Sequence, residues 1–329
     1  MRIVDFHSHF YPPAYLEALR ADPAGAITVT TDAAGNPVLH SPGDANIAVP
    51  PHRDIVERQR VLDTEGIATQ VLTLTSPGTH VHPPAEAVRY ARLVNDALAA
   101  ITRERPARFT ALATLPLNDP AASVAELDRA VDKLGFRGVM VFGNVNGVAL
   151  SDRRYWPLWE RAHALQAVCY IHPTHPLGVE AMQEYWLMPL IGFPFDTTLA
   201  AAALVFSGVV ERFPNITWVL AHLGGAIPYL AERLDRGYRA FRSCRDHITR
   251  APSEYLRTFY YDTVNFDVHA LNLAIEFAGV DHMLAGSDFP HQIGSLRSMM
   301  GSIEALGLGP AEKAMILGGN ATRLLGLSL

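Results

Sequence analysis

The sequence predicts an α/β protein of the (β/α)8 TIM-barrel class, and three features carry that expectation. Short apolar or β-branched runs recur along the chain, separated by longer stretches of helical periodicity, the pattern of βα units around a parallel sheet. About eight such runs can be placed, the number a closed barrel needs. Histidine and aspartate side chains fall at the C-terminal ends of these runs, where this fold builds its active sites.

The strand-like runs lie at 3–9, 69–75, 109–115, 138–142, 168–172, 217–222, 259–264 and 283–288. Helical periodicity covers 84–103, 121–134, 157–165, 196–212, 226–238 and 270–277. Two of these carry start signals: Asp119 stands before Pro120, and Asp196 is followed by Thr197 and Thr198. Between Ala26 and Val49 the alternation breaks. Two β-prone runs flank the turn signal Ala34-Gly35-Asn36-Pro37, which predicts a small β-hairpin inserted after the first strand, at about 26–50. An insertion there sits over the barrel mouth as a lid or substrate-contacting flap. The Pro/Gly-rich stretch 42–51 is too short to separate domains, so residues 1–329 are expected to form a single domain.

A chain of 329 residues, 49% hydrophobic and 18% charged, has ample material for a large core and too little charge for disorder. The net charge of −6 and pI near 6.1, without any run of Lys and Arg, argue against nucleic acid as a partner. The N-terminus MRIVDFHSHF lacks a charged region leading into an apolar stretch, and no uninterrupted apolar run approaches a membrane span. The expectation is a soluble cytoplasmic protein. Of the two cysteines, Cys169 lies in the apolar run AVCYIHP and reads as a small packed hydrophobe, with no redox or metal role assigned to either.

His7 and His9 end the first predicted strand, His172 the fifth, His222 the sixth and Asp288 the eighth. Residues two apart in a strand point the same way, so His7 and His9 can both face the barrel interior while Phe6 and Ser8 face outward. Taken singly, each has a bland reading, since a histidine ending a strand is most often a hydrogen-bonded core residue and an aspartate a helix cap. Together they form a buried ionisable cluster that needs a compensating charge. Neutral imidazoles with one carboxylate suit one divalent ion such as zinc, with a position left open for water or substrate; manganese, iron or cobalt suit the same donors.

The segments DFHSHF, YIHPTHP, LAHLGG and AGSDFPH, in this order, resemble the amidohydrolase-related decarboxylases of the amidohydrolase superfamily, the group that includes aminocarboxymuconate semialdehyde and γ-resorcylate decarboxylases. The similarity extends through EGIATQVLT, PSEYLRTFYYDT and GGNATRLLGL, nearly the whole chain. The resemblance implies that His7, His9, His172 and Asp288 bind the metal and that His222 sits beside the metal-bound water and acts in proton transfer. It further implies that Arg58 holds a substrate carboxylate and that Arg233 is a second substrate arginine, donated by a neighbouring subunit, hence a homodimer. The γ-resorcylate branch has Glu where this chain has His7, which puts the chain nearer the aminocarboxymuconate semialdehyde branch or another His-x-His branch. TSPGTH and HPTHP resemble the 6-methylsalicylate branch. Against the clamp role, Arg53, Arg58 and Arg60 share one predicted helix, and any of them can be a solvated face residue. His175 and His291 each follow a ligand motif by three residues and are candidates for substrate contact, and Trp186, Phe193 and Phe195 for an apolar wall.

The expected function is therefore metal-dependent, non-oxidative decarboxylation of an aromatic or unsaturated carboxylic acid. His222 or Asp288 manages the proton and an arginine orients the carboxylate. The alternatives are a hydrolase cleaving a C–O or C–N bond at the same metal, and a catalytically dead binding protein on this scaffold.

Overall fold

The structure is a computed structural model and describes residues 2–22, 25–41 and 44–327. Pro42 and Gly43, which begin the Pro/Gly-rich stretch, lie outside the described residues. The chain folds as an α/β protein with parallel sheets. The strands are β1 (Val4–His9), β2 (Thr28–Thr31), β3 (Pro37–Ser41), β4 (Asp44–Ile47), β5 (Thr69–Thr73), β6 (Phe109–Ala111), β7 (Gly138–Phe142), β8 (Asn144–Val145), β9 (Val148–Ala149), β10 (Val168–His172), β11 (Thr217–Leu220), β12 (Tyr260–Asp262) and β13 (Met283–Leu284). One parallel sheet runs β1-β5-β6 and the other β13-β12-β11-β10-β7, while β8 and β9 form a small antiparallel ribbon. Isolated parallel bridges join Ser8 to Phe289 and Ala113 to Val139, so β1 reaches the segment after β13, and the segment after β6 reaches β7.

β7 and β10 match the predicted runs residue for residue. Both are buried along their full length, as strands of a parallel sheet covered on both faces are. β1 ends at His9 as its run does, and the remaining predicted strands end earlier than their apolar runs. β11 stops at Leu220, leaving His222 in a turn, and β13 stops at Leu284, leaving Asp288 at φ +58°. In β1 strict alternation fails: the register shifts between Asp5 and Ser8, and Phe6, expected to face outward, packs edge-on against Tyr170, a ring that His7 also touches.

The helices follow their periodicity. Pro84–Glu104 buries one stripe, and Pro120–Asp132 is capped by the Asp119 carboxylate accepting from Ala122 N. Asp196 is not a cap. The Phe193–Phe206 helix begins before it, preceded by a π turn at Met188–Gly192, and buries the Asp196 carboxylate, which accepts from Thr174 N and from the Asn144 amide. A break at Gly208 (φ +81°) then separates this helix from Val209–Arg212, which the sequence joined to it. The stretch Met188–Phe206, 19 residues of mean hydropathy 1.5, is long and apolar enough to cross a bilayer by length and composition, although the expectation was that no uninterrupted apolar run approaches that length, and Asp196 interrupts this one.

The insertion is richer than a two-stranded hairpin. β2, β3 and β4 form a three-stranded antiparallel sheet, because a third extended segment after Ser41 folds back on β3. The turn between β2 and β3 is held by Asp32, whose Oδ1 accepts from Ala34 N and Asn36 N, with Gly35 at φ +84°.

Candidate metal centre

His7, His9, His172 and Asp288 each bring one ligand atom to within 4.8 Å of the others, all buried. β1 supplies the first pair and β10 ends on the third histidine. Asp288 arrives from the loop after β13, its backbone N–H donating to His7 O at 2.9 Å.

Hydrogen bonds on the far side of each imidazole decide which nitrogen faces the centre. His7 Nδ1 lies 2.7 Å from Asp262 Oδ2. His9 Nδ1–H donates to Thr73 Oγ1 at 3.0 Å, since that hydroxyl spends its own proton on Ser8 O. His172 Nδ1–H donates to Pro173 O at 2.8 Å. Neutral rings so held turn their Nε2 lone pairs inward. There the Nε2 atoms of His7 and His9 stand 3.0 Å apart, each 3.2 Å from Asp288 Oδ1, and His172 Nε2 has no hydrogen-bond partner. Lone pairs and a carboxylate converging in a buried space repel one another unless a cation lies among them, so the donor set fits a divalent ion.

The proton balance agrees. Burial opposes charging of His7, but Asp262 and Asp288 outweigh it and push its pKa up to about 10, so a proton stands where a cation would otherwise serve. Burial and neighbouring histidines hold His172 well below its ordinary value, and burial does the same for His9. Asp288 is likewise held well below the usual carboxylate range: burial alone would raise it, but hydrogen bonds from His7 and His9 prevail.

His222 approaches from the side, its Nε2 4.0 Å from Asp288 Oδ2 and its Nδ1 without a partner. It is the first of four consecutive residues with positive φ, His222-Leu223-Gly224-Gly225. Only glycine fits the last two places, where a Cβ would meet the Tyr261 ring at 2.5 Å and Pro194 O at 2.0 Å. Burial, followed by the nearby His7, lowers the His222 pKa to about 4, so the ring is neutral at pH 7.

A cavity of about 280 Å3 opens above the cluster. His172, His222 and Asp288 of the cluster line it together with Trp186, Phe193 and Leu190, with Thr75 and His291, and with Asp44 to Ile47 of the inserted sheet. Its polar character comes from histidines, hydroxyls, amides and carboxylates, and none of the lining residues is Lys or Arg.

The sequence-predicted substrate residues divide accordingly. His291, Trp186 and Phe193 line this cavity. Phe195 is exposed outside it, and His175 lines a separate cavity of about 220 Å3 with His80 and Thr174. Arg233 lies exposed on the Ile227–Ala240 helix, away from its own chain's cavity. Arg58 does not reach the cavity either. It is fully buried, and its donors are taken by Gln70 Oε1 and by the carbonyls of His9, Pro51 and Phe289. Four of its five N–H groups are thus committed to the protein, and the guanidinium does not line the cavity where a substrate would bind, which argues against the clamp role.

Asp262 was missed. Its carboxylate accepts from Tyr170 OH, Leu223 N and Val264 N in addition to facing His7. Its signal was present, a carboxylate ending an apolar run (TFYYDT) just as Asp288 follows one.

Comparison with known proteins adds the following. Residues 4–327 match the amidohydrolase family. A 2-amino-3-carboxymuconate-6-semialdehyde decarboxylase of Dictyostelium discoideum is 34% identical, covering 74% of this chain and 68% of its own. A 6-methylsalicylic acid decarboxylase of Penicillium expansum is 31% identical over 88% of this chain and 86% of its own. A dihydroxybenzoic acid decarboxylase from Polaromonas sp. JS666, solved with bound manganese and the inhibitor 2-nitroresorcinol, superimposes with a TM-score of 0.83 at 26% identity, covering 99% of this chain and 97% of that one.

Proposed function

Because the chain belongs to the amidohydrolase family, we propose that it is a metal-dependent, non-oxidative decarboxylase of an aromatic or unsaturated carboxylic acid. The observation that carries this reading is the inward convergence of the His7, His9 and His172 Nε2 atoms on Asp288 beneath a largely apolar cavity. The decarboxylase names of its relatives support it. His7, His9, His172 and Asp288 would hold one divalent ion, zinc or manganese, which when bound supplies Lewis acidity toward a substrate oxygen.

The chain's own groups do the rest. Trp186, Phe193 and Leu190 hold the ring and keep water away. Loss of carbon dioxide leaves the bonding electron pair on carbon, and that carbon must take up a proton. His222 and Asp288 line the same cavity and are the groups that can hold and deliver it.

In the same reading the two parallel sheets are one closed (β/α)8 barrel, single-domain, with the β2–β4 sheet as its flap; the bridges Ser8 to Phe289 and Ala113 to Val139 support closure. The enzyme works as a homodimer in which Arg233 serves the partner's cavity. Its exposure supports this, as do the exposed apolar side chains of Tyr185, Phe195 and Leu199. Two free cysteines suit a reducing compartment, and we assign the enzyme to the cytoplasm.

The test is a screen of metal-loaded enzyme against salicylates, dihydroxybenzoates and muconate semialdehydes, with carbon dioxide and metal content measured together. The expected result is about one ion per chain, lost in His9→Ala, and carbon dioxide released in step with substrate consumed. Product formed with incorporated water and no carbon dioxide would establish the hydrolase instead. A purified chain that binds no metal would leave only a binding protein.

A further inference from the structure

The Arg58 guanidinium is the centre of a buried network that does not line the cavity. Its Nε donates to Gln70 Oε1 at 2.8 Å, one Nη to His9 O at 2.7 Å and Pro51 O at 3.1 Å, and the other Nη to Phe289 O at 3.3 Å. The Phe10 and Phe289 rings lie 5.7 and 5.1 Å from the guanidinium carbon. Gln70 passes the network on, its Nε2 donating to Asp5 Oδ2 at 2.6 Å, and Asp5 in turn accepts from Ser287 N at 3.0 Å and Ser287 Oγ at 2.5 Å.

The acceptors are the informative part. His9 is itself one of the four converging residues, and Phe289 and Ser287 flank Asp288 on either side. One rigid, planar cation therefore fixes the backbone at two of the four donors, one from β1 and one from the loop after β13, which lie some 280 residues apart in sequence. Pro51 adds the short helix that follows the flap strand β4.

We propose that Arg58 is a positioning residue for the metal centre: it sets the separation of His9 and Asp288 through their neighbouring carbonyls. This rests on the metal-centre reading above. A positive charge this near the ion opposes metal binding by Coulomb repulsion, so electrostatics and positioning predict opposite signs when it is removed. That difference makes the proposal testable without turnover.

The experiment compares wild type, Arg58→Lys, Arg58→Gln and Gln70→Ala, with Arg60→Ala, an exposed neighbour, as control. Zinc and manganese affinities are measured by competition with a chromophoric chelator, and KM at saturating metal for whichever substrate the screen identifies. Folding is checked by circular dichroism, and Gln70→Ala breaks the network with the cation left in place should the Arg58 variants fail to fold. Positioning predicts metal affinity weakened by roughly 10–100-fold in Arg58→Gln, as for lost outer-shell partners. It also predicts less loss in Arg58→Lys and Gln70→Ala, none in Arg60→Ala, and KM near wild type in all. Affinity unchanged or tighter in folded Arg58→Gln and Gln70→Ala would overturn the proposal while leaving the metal centre intact. A raised KM with unchanged metal affinity would restore the substrate clamp, and a wild-type chain that takes up neither ion would overturn both readings.

Discussion

Asp262→Asn isolates the contribution of a group that never touches the ion. In the native protein Asp262 Oδ2 faces His7 Nδ1 at 2.7 Å and accepts from Tyr170 OH at 2.9 Å, while Oδ1 accepts from Leu223 N at 3.2 Å and Val264 N at 3.0 Å. An asparagine fills the same volume and keeps its oxygen on the two backbone N–H groups. Its amide nitrogen then meets two donors where the carboxylate met them as an acceptor. The Tyr170 hydroxyl can rotate, but His7 must move its proton to Nε2, the atom aimed at the metal centre. A ligand is thereby lost through tautomer choice alone. Outer-shell changes of this kind weaken metal binding by about 10–100-fold, or about 1.4–2.7 kcal/mol. The assay is metal competition with a chelator, paired with histidine ring NMR on the metal-free protein, where the His7 pKa should fall from about 10 once Asp262 no longer supports the imidazolium. Metal affinity within about twofold of wild type, or a His7 titration unmoved by the substitution, would refute the reasoning.

Two further outcomes are expected. His222→Asn should retain the ion and lose turnover by about 10²–10⁴-fold, the usual effect of removing a general acid or base; near-normal turnover would take His222 out of the mechanism. Burial holds the Cys169 thiol well above its ordinary pKa, whereas Cys244 is half-buried, so a thiol reagent should label one cysteine per native chain and two after denaturation. Rapid double labelling of native protein would contradict the packing around β10.

What could be read in advance was what local pattern encodes. The runs 138–142 and 168–172 became β7 and β10 without adjustment because both are short, largely apolar runs buried along their whole length, which leaves little freedom at the ends. His7, His9, His172 and Asp288 were legible because each closes or follows such a run. Asp196 misled because an Asp-Thr-Thr sequence has the chemistry of a cap, and only packing against the loop after β10 reveals it as a buried side chain inside the first turn. Arg58 was read as either a carboxylate clamp or a solvated face residue, and it is buried and lines no part of the cavity. Within VERQRV sequence alone does not say which arginine faces inward, though its i,i+4 partner Leu62, also buried, lies on the same face of the Ile55–Glu65 helix. The third strand of the insertion escaped because DANI has little β propensity and is held by pairing with β3.

Among the described residues the β2–β4 sheet pairs its strands only with one another and not with either parallel sheet, yet its last strand lines the cavity. The strand that lines the cavity from the insertion and the strands that carry the cluster therefore belong to separate sheets. Substitutions at Ala45 or Ile47 can reshape what enters without moving a single donor of the histidine cluster. A chain built this way can exchange one ring substituent for another through that lining while its chemistry stays constant, so new specificities are accessible to it by mutation of one short strand.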